Sequence, residues 1–383
     1  MDLKNKTILL ISPQAWGTMH ISKHHYAITL SRLGNKVFFL NPPNQNIAYG
    51  KHIEILPSQI YPGLSLIYHR LRFPFLFKFH ALPVFHWFMR FHIKGILKTM
   101  GISVDIVWSF DQGNLYPFKF FGKKPFKIFQ AVDEPGDKMA LAAAQGSDLI
   151  LSVTKEIVEK YTSLKRPCHL INHGIGEDFF LPFPGLKNGK KKHVGFSGNL
   201  LRADIDKDVL LKIISDHPQV VFEFWGSYKI SHANLGGLDN DESRSFIHSL
   251  HRHNVILHGP VSQTRLANEL QRMDAFLICY DIKKDQSKGT NYHKIIEYLN
   301  TGKVIIASNI TTYQHQPALI QMVKERDSNC LLPALFTKVM SNLEHHNSLA
   351  LQQQRKAFAR MNTYVKQVER IQDIIGSLSQ PML

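Results

Sequence analysis

The sequence predicts an α/β protein of two Rossmann-like domains. Three observations predict it. Short β-branched runs alternate with amphipathic helical stretches, as in parallel sheets covered on both faces. That alternation starts at residue 7, stops near residue 180 and restarts at residue 193, after the Pro/Gly/Lys-rich segment PFPGLKNGKKK. The 383 residues, 44% of them hydrophobic, are too many for one core and suit two. The expected division is a first domain 1–180, a linker 181–192, a second domain 193–355 and a helical tail 356–383.

The first domain opens on a strand at Thr7–Ser12, TILLIS. A loop holding Trp16 and Gly17 leads to a helix over His20–Leu33 that stops at Gly34, then to a strand at Lys36–Leu40. This unit lacks G-x-G-x-x-G, which argues against a dinucleotide cofactor. Strands at Asp105–Asp111 and Lys127–Asp133 each end on an acid. Open parallel sheets bind ligands outside the carboxyl ends of their strands. Asp111 and Asp133 are therefore candidates for a base that takes a proton from a bound hydroxyl. The competing reading is that either acid caps the next turn, and Asp133-Glu134-Pro135-Gly136 reads as a turn. A strand at Ser147–Val153, a helix Lys155–Tyr161 capped by Thr154 and a strand at Cys168–Asn172 complete this half.

Leu66–Thr99 stands apart in composition. It carries six Lys/Arg, no acid and nine aromatics, interrupted by Pro74 and Pro83. Basic and aromatic residues mixed in this way suit the surface of an anionic membrane. Stacked bases with phosphate contacts would use similar residues, but no nucleic-acid-binding module is recognisable, so nucleic acid is not expected. The bland alternative is core aromatics with a solvated basic rim.

In the second domain strands are expected at His193–Ser197, Val220–Trp225, Asn254–His258 and Ala275–Tyr280, with helices after Asp206 and over Thr264–Met273. The stretch SKGTNYHKIIEYLNTGKVIIAS, Ser287–Ser308, organises the whole. Tyr292, Ile295, Ile296 and Leu299 form one apolar helical face, Gly302 suits a left-handed C-terminus, and Val304–Ala307 suits a buried strand. The polar face carries His293, Lys294 and Glu297, and Thr290 and Asn291 lie at the helix start, where an anion is favoured.

That stretch resembles the donor-binding segment of nucleotide-sugar glycosyltransferases of the GT-B fold, closest to family-4-like enzymes of bacterial surface-polysaccharide synthesis. Their pattern N-P-x-K-x-x-E-Y-L-A-x-G-K-P-V-V-A stands here as Asn291 to Ala307, with Tyr292 and Val304 where Pro is usual. Gly289 stands where many retaining relatives carry a second acid, which leaves the stereochemistry open. The resemblance implies two domains facing across a cleft, with Glu297 on the ribose hydroxyls and the helix start toward the diphosphate. It further implies that Gly17 and His20 lie under the donor or acceptor, that Gly198, Asn199, Arg202 and Lys207 lie near the diphosphate, and that the helix after Asn362-Thr363 crosses back to the first domain.

The expected function is sugar transfer from a nucleotide-diphosphate donor to a glycan or lipid-linked acceptor. The alternatives are an epimerase on the same scaffold and a non-catalytic binding protein. No cofactor or metal is expected, since no D-x-D stands at a strand end and cations would take that role. The excess of 46 Lys+Arg over 30 Asp+Glu, +16, fits anionic partners. Isolated cysteines, the absence of a leader and the lack of any membrane-length apolar run point to the cytoplasm, with Leu66–Thr99 as a peripheral membrane contact.

Overall fold

The computed structural model describes residues 2–17, 20–44, 52–133, 137–180, 191–229, 240–281, 283–284 and 290–378. The chain divides into two compact units. One comprises Met1–Asn172 with Tyr364–Leu383, the other His173–Thr363. The first boundary falls eight residues before the expected 180, because Ile175 pairs with Thr363 and Phe179 joins the core of the second unit. The second falls at 363/364 rather than 356, because Ala359 is buried in the second unit while Tyr364 is buried in the first. Most of the expected linker lies outside the described residues.

In the first unit the strands are β1 Thr7–Ile11, β2 Lys36–Leu40, β3 Ile53–Pro57, β4 Leu64–His69, β5 Ile106–Ser109, β6 Phe126–Ala131, β7 Leu149–Ser152 and β8 Cys168–Leu170. They form one sheet in the order β3-β4-β2-β1-β5-β6-β7-β8. All neighbours are parallel except β3 and β4, a hairpin the sequence reading did not anticipate. β1, β5, β6 and β7 are nearly all buried, as strands covered on both faces must be. One face packs against Phe85, Met89, Ile93 and Ile96 of the helix Leu82–Met100. The other packs against Tyr26, Ala27 and Leu30 of the helix Ser22–Arg32, together with Tyr364, Val368, Ile371 and Ile375 of the terminal helix Tyr364–Leu378.

The second unit holds β9 Lys192–Ser197, β10 Val220–Trp225, β11 Val255–Gly259, β12 Ala275–Ile278, β13 Val304–Ala307 and β14 Ile320–Met322. The order is β11-β10-β9-β12-β13-β14, parallel throughout. Every residue of the helix Lys294–Thr301 is buried, and it ends at Gly302 in the left-handed conformation, φ 82°. Sheet order thus brings the tips of β9, β10 and β12 beside the start of this helix.

Candidate functional site

The tips of β9 and β10 are held unusually close. The Gly198 N–H donates to the Trp225 carbonyl at 2.8 Å, Leu200 N–H to Ser227 at 2.8 Å, and Gly226 N–H to Gly259 at 2.9 Å. A Cβ on Gly226 would lie 2.1 Å from the Gly198 carbonyl oxygen, and its φ is +124°. A Cβ on Gly198 would lie 2.7 Å from the Lys294 Nζ. Both positions need glycine because two backbones and an ammonium share this space. In the turn that follows, Asn199 Oδ1 accepts from Leu201 N–H at 2.9 Å. Its Nδ2 is buried with no hydrogen-bond acceptor among the described residues.

Lys294 reaches this turn from the first helical residue. Its Nζ donates to the Tyr280 hydroxyl at 2.7 Å, and stands 4.3 Å and 5.1 Å from the ring centroids of Phe196 and Tyr280. Among the described residues no carboxylate lies within ion-pair distance of it. Burial first, and the Arg202 charge second, lower its pKa to about 7. Arg202 grips Asp204 with two nitrogens, Nε at 2.8 Å, and lies 5.8 Å over the Tyr280 ring. That bond to Asp204 raises the Arg202 pKa further. Tyr280 and Tyr292 have ring centroids 4.7 Å apart and wall the same space.

Glu297 is 8% exposed, so it does not stand on a solvated polar face as the helical pattern suggested. The helix is buried on all sides, which the period alone could not reveal. Burial raises the Glu297 pKa to about 8, with Lys294 opposing, and its Oε1 lies 4.0 Å from His293 Nε2. A carboxyl held this way can accept or donate to a hydroxyl.

The helix starts at Lys294, two residues later than expected. Thr290 is instead pinned to the turn Thr311–Tyr313. Its N–H donates to Thr311 Oγ1 at 2.8 Å, and its carbonyl accepts from Thr312 Oγ1 at 2.8 Å. The Asn291 carbonyl lies 3.1 Å from His173 Nε2. These bonds hold residues 290–291 off the helical path. Lys207 also departs from expectation. Its ammonium is 2.7 Å from Glu242 and stands over Phe246, which groups it with the helix Asp241–Ser249 and not with Arg202 and Lys294. Gly289 lies outside the described residues.

In the first unit Asp111 takes the capping role. Its carboxylate accepts from Gly113 N–H at 3.0 Å, Leu115 N–H at 2.5 Å and Tyr116 N–H at 3.4 Å. It is 8% exposed, and burial raises its pKa against those bonds and the nearby Lys78. Three backbone donors occupy its oxygens, which fits the capping alternative for Asp111. Asp133 is exposed at the tip of β6, and its carbonyl accepts from Gln112. Its charge acts on Lys23, a buried lysine whose pKa burial lowers to about 8. Nothing within 4 Å of Gly17 demands glycine there. His20 sits in an aromatic group with Trp16 at 5.1 Å and His24 at 5.6 Å. His24 Nδ1 accepts from Ile21 N–H and its Nε2 faces the Ala15 carbonyl, so this histidine caps its helix.

Sequence reasoning missed Tyr280, Phe196 and Asp204. The aromatic Tyr280 just beyond a buried strand, in a sheet whose ligands lie at strand tips, was the available signal.

Neither a family model nor a curated protein matches the chain. Solved structures do. Sucrose-phosphate synthase from Thermosynechococcus elongatus superposes with TM-score 0.71 at 12% identity, covering 97% of this chain and 99% of the other. α,α-Trehalose 6-phosphate synthase from Burkholderia multivorans gives 0.68 at 10% identity, covering 98% and 100%. The chain has the GT-B glycosyltransferase fold. Anabaena HepE in complex with UDP and glucose, also similar, gives 0.66 at 12% identity, covering 97% and 100%. At these identities the likeness concerns the GT-B fold and leaves chemistry to the residues.

Proposed function

We propose that the protein transfers a sugar from a nucleotide-diphosphate donor to an acceptor hydroxyl. The observation that carries this reading is the buried Lys294 ammonium, with no carboxylate in ion-pair reach, beside the buried and unsatisfied Asn199 Nδ2. A buried cation and a buried donor at one strand tip are costly unless an anion or hydroxyl meets them. A diphosphate does so, and Arg202 adds charge that stabilises the departing nucleoside diphosphate. Glu297, one turn along the helix, suits the ribose hydroxyls. In this reading the cations neutralise the leaving group without a metal, and no cofactor takes part. Asp133, exposed at its strand tip, is the group we assign to take the acceptor's proton. The solved neighbours bound to UDP-glucose and to UDP-2-fluoro glucose support a nucleotide-sugar donor. A thermal-shift screen of UDP, GDP and other sugar nucleotides tests the reading, since bound ligand stabilises by mass action. No shift with any of them at millimolar concentration overturns it. Turnover to a transferred sugar, with no epimerised donor, separates transferase from epimerase and from binding protein.

A second observation favours a membrane-bound acceptor in polysaccharide synthesis. Val84, Trp87 and Phe91 form an exposed stripe on the helix Leu82–Met100, with Trp87 57% and Phe91 52% exposed, beside exposed Leu76 and Phe79. Arg90, Lys94 and Lys98 are exposed on the same helix, which contains no acid. Among the described residues no helix is long and apolar enough to cross a membrane. An apolar stripe flanked by cations suits the surface of an anionic bilayer, such as the cytoplasmic leaflet. Co-sedimentation with anionic but not neutral vesicles, weakened by salt and by Trp87→Ser with Phe91→Ser, is the expected result. No binding to anionic vesicles at low salt would sink it.

A further inference from the structure

The first unit contains a cavity of about 940 Å³ at the tips of its central strands. Arg70, Arg72, Lys78, Tyr116, Ser12 and Asp111 line it. Lys78 and Asp111 lie close enough to influence each other's protonation. With the proton on either, that pair contributes no net charge, so the two arginines leave the cavity at about +2. A phosphate monoester carries close to two negative charges at neutral pH, a carboxylate only one. Arg70 Nε donates to His52 Nδ1 at 3.2 Å, a bond that sets the plane of the guanidinium and leaves its two terminal nitrogens out of it.

Tyr116 adds a directed donor. It is 4% exposed, and its hydroxyl lies 2.8 Å from His69 Nε2. The same Nε2 lies 2.9 Å from the Asn41 carbonyl, which can only accept, so Nε2 carries the proton. His69 Nδ1 then accepts from His92 Nε2 at 2.9 Å. Tyr116 therefore receives a hydrogen bond from His69 and keeps its own proton to give elsewhere. Tyr116 stands in the cavity wall.

We propose that this cavity binds a phosphate-bearing ligand, with Arg70 and Arg72 on the phosphate and the Tyr116 hydroxyl donating to it. Under the transferase reading the ligand is the acceptor, and only that role rests on the reading. The binding is tested without any donor present. Calorimetry with glucose 6-phosphate, glucose and inorganic phosphate on the full chain should show that both phosphates bind and glucose does not. Arg70→Ala with Arg72→Ala should weaken binding at least tenfold and Tyr116→Phe about threefold, while the affinity for the sugar nucleotide identified by thermal shift stays unchanged. That last readout shows that the variants are folded and separates failure here from failure of the donor assignment. Geranyl phosphate binding in place of glucose 6-phosphate supports the same site and assigns the phosphate to a lipid carrier. Binding of glucuronate but of neither phosphate, or equal phosphate affinity in the double-alanine variant, overturns the proposal.

Discussion

The Lys294 ammonium donates to the Tyr280 hydroxyl at 2.7 Å against a wall of aromatic rings, with no carboxylate in ion-pair contact among the described residues and only the more distant Asp204 and Glu297 favouring its charge. Replacing it with methionine removes the desolvation penalty and keeps the volume. Lys294→Met should leave the melting temperature unchanged or higher while weakening sugar-nucleotide binding at least tenfold, measured by calorimetry. The sign with pH also follows. The folded pKa is about 7 against an ordinary 10.5, so the unfolded chain holds the extra proton between those values. Stability from this residue therefore rises with pH across that window, and the rise disappears in the variant. Donor affinity should fall over the same interval as the ammonium is lost.

Glu297 gives the opposite slope. Its pKa is raised from 4.5 to about 8, so its contribution is fully present below 4.5 and lost as pH rises through 8. Urea melts from pH 4.5 to 9 should show a flatter decline in Glu297→Gln than in the parent. The same variant should bind the sugar nucleotide more weakly by about 0.5–1.5 kcal/mol, the net worth of a hydrogen bond between neutral groups. Unchanged affinity would remove Glu297 from the donor site.

Gly226→Ala puts a methyl group 2.1 Å from the Gly198 carbonyl oxygen, so the two strand tips must part. A loss of about 1–3 kcal/mol in stability is expected, together with loss of nucleotide binding. Gly101→Ala is a control, since its φ of +67° is also left-handed but nothing lies within 4 Å of its Cβ. That variant should cost stability and keep binding.

Asp111 and Asp133, similar in sequence, should separate in experiment. Asp111→Asn weakens three backbone hydrogen bonds to the 113–116 turn and should lower stability by about 1–3 kcal/mol. Asp133→Asn should leave the melt unchanged and reduce turnover by roughly 10²–10⁴, if it takes the acceptor's proton. Full turnover in Asp133→Asn would move that role to another residue.

The strands buried on both faces were legible because the β-branched runs announce them: Lys36–Leu40, Val220–Trp225 and Val304–Ala307 fall where the pattern put them. The β3–β4 hairpin was not, since Ile53–Pro57 is half exposed and its pairing with Leu64–His69 is tertiary. Period also located the helix that carries Lys294 and Glu297 but misjudged its environment. A helix buried on every side shows the same spacing as one half in water, and only tertiary neighbours, the helix Leu349–Arg360 at its side and Tyr280 and Phe196 at Lys294, decide between them. Lys207 was placed by its neighbourhood in sequence, whereas its partner, Glu242, lies 35 residues away.

The terminal helix belongs to the core of the unit that the chain builds first. A ribosome releases residues 1–172 long before Tyr364, Val368, Ile371 and Ile375 exist as polypeptide. Until then Tyr26, Ala27 and Leu30 lack a covering layer, while His173–Thr363 has all of its own core in hand. The later-made unit can therefore finish folding first. A nascent chain stalled before residue 364 should leave the amino-terminal unit protease-sensitive and prone to chaperone capture, and synthesis of residues 364–378 should act as its closing step.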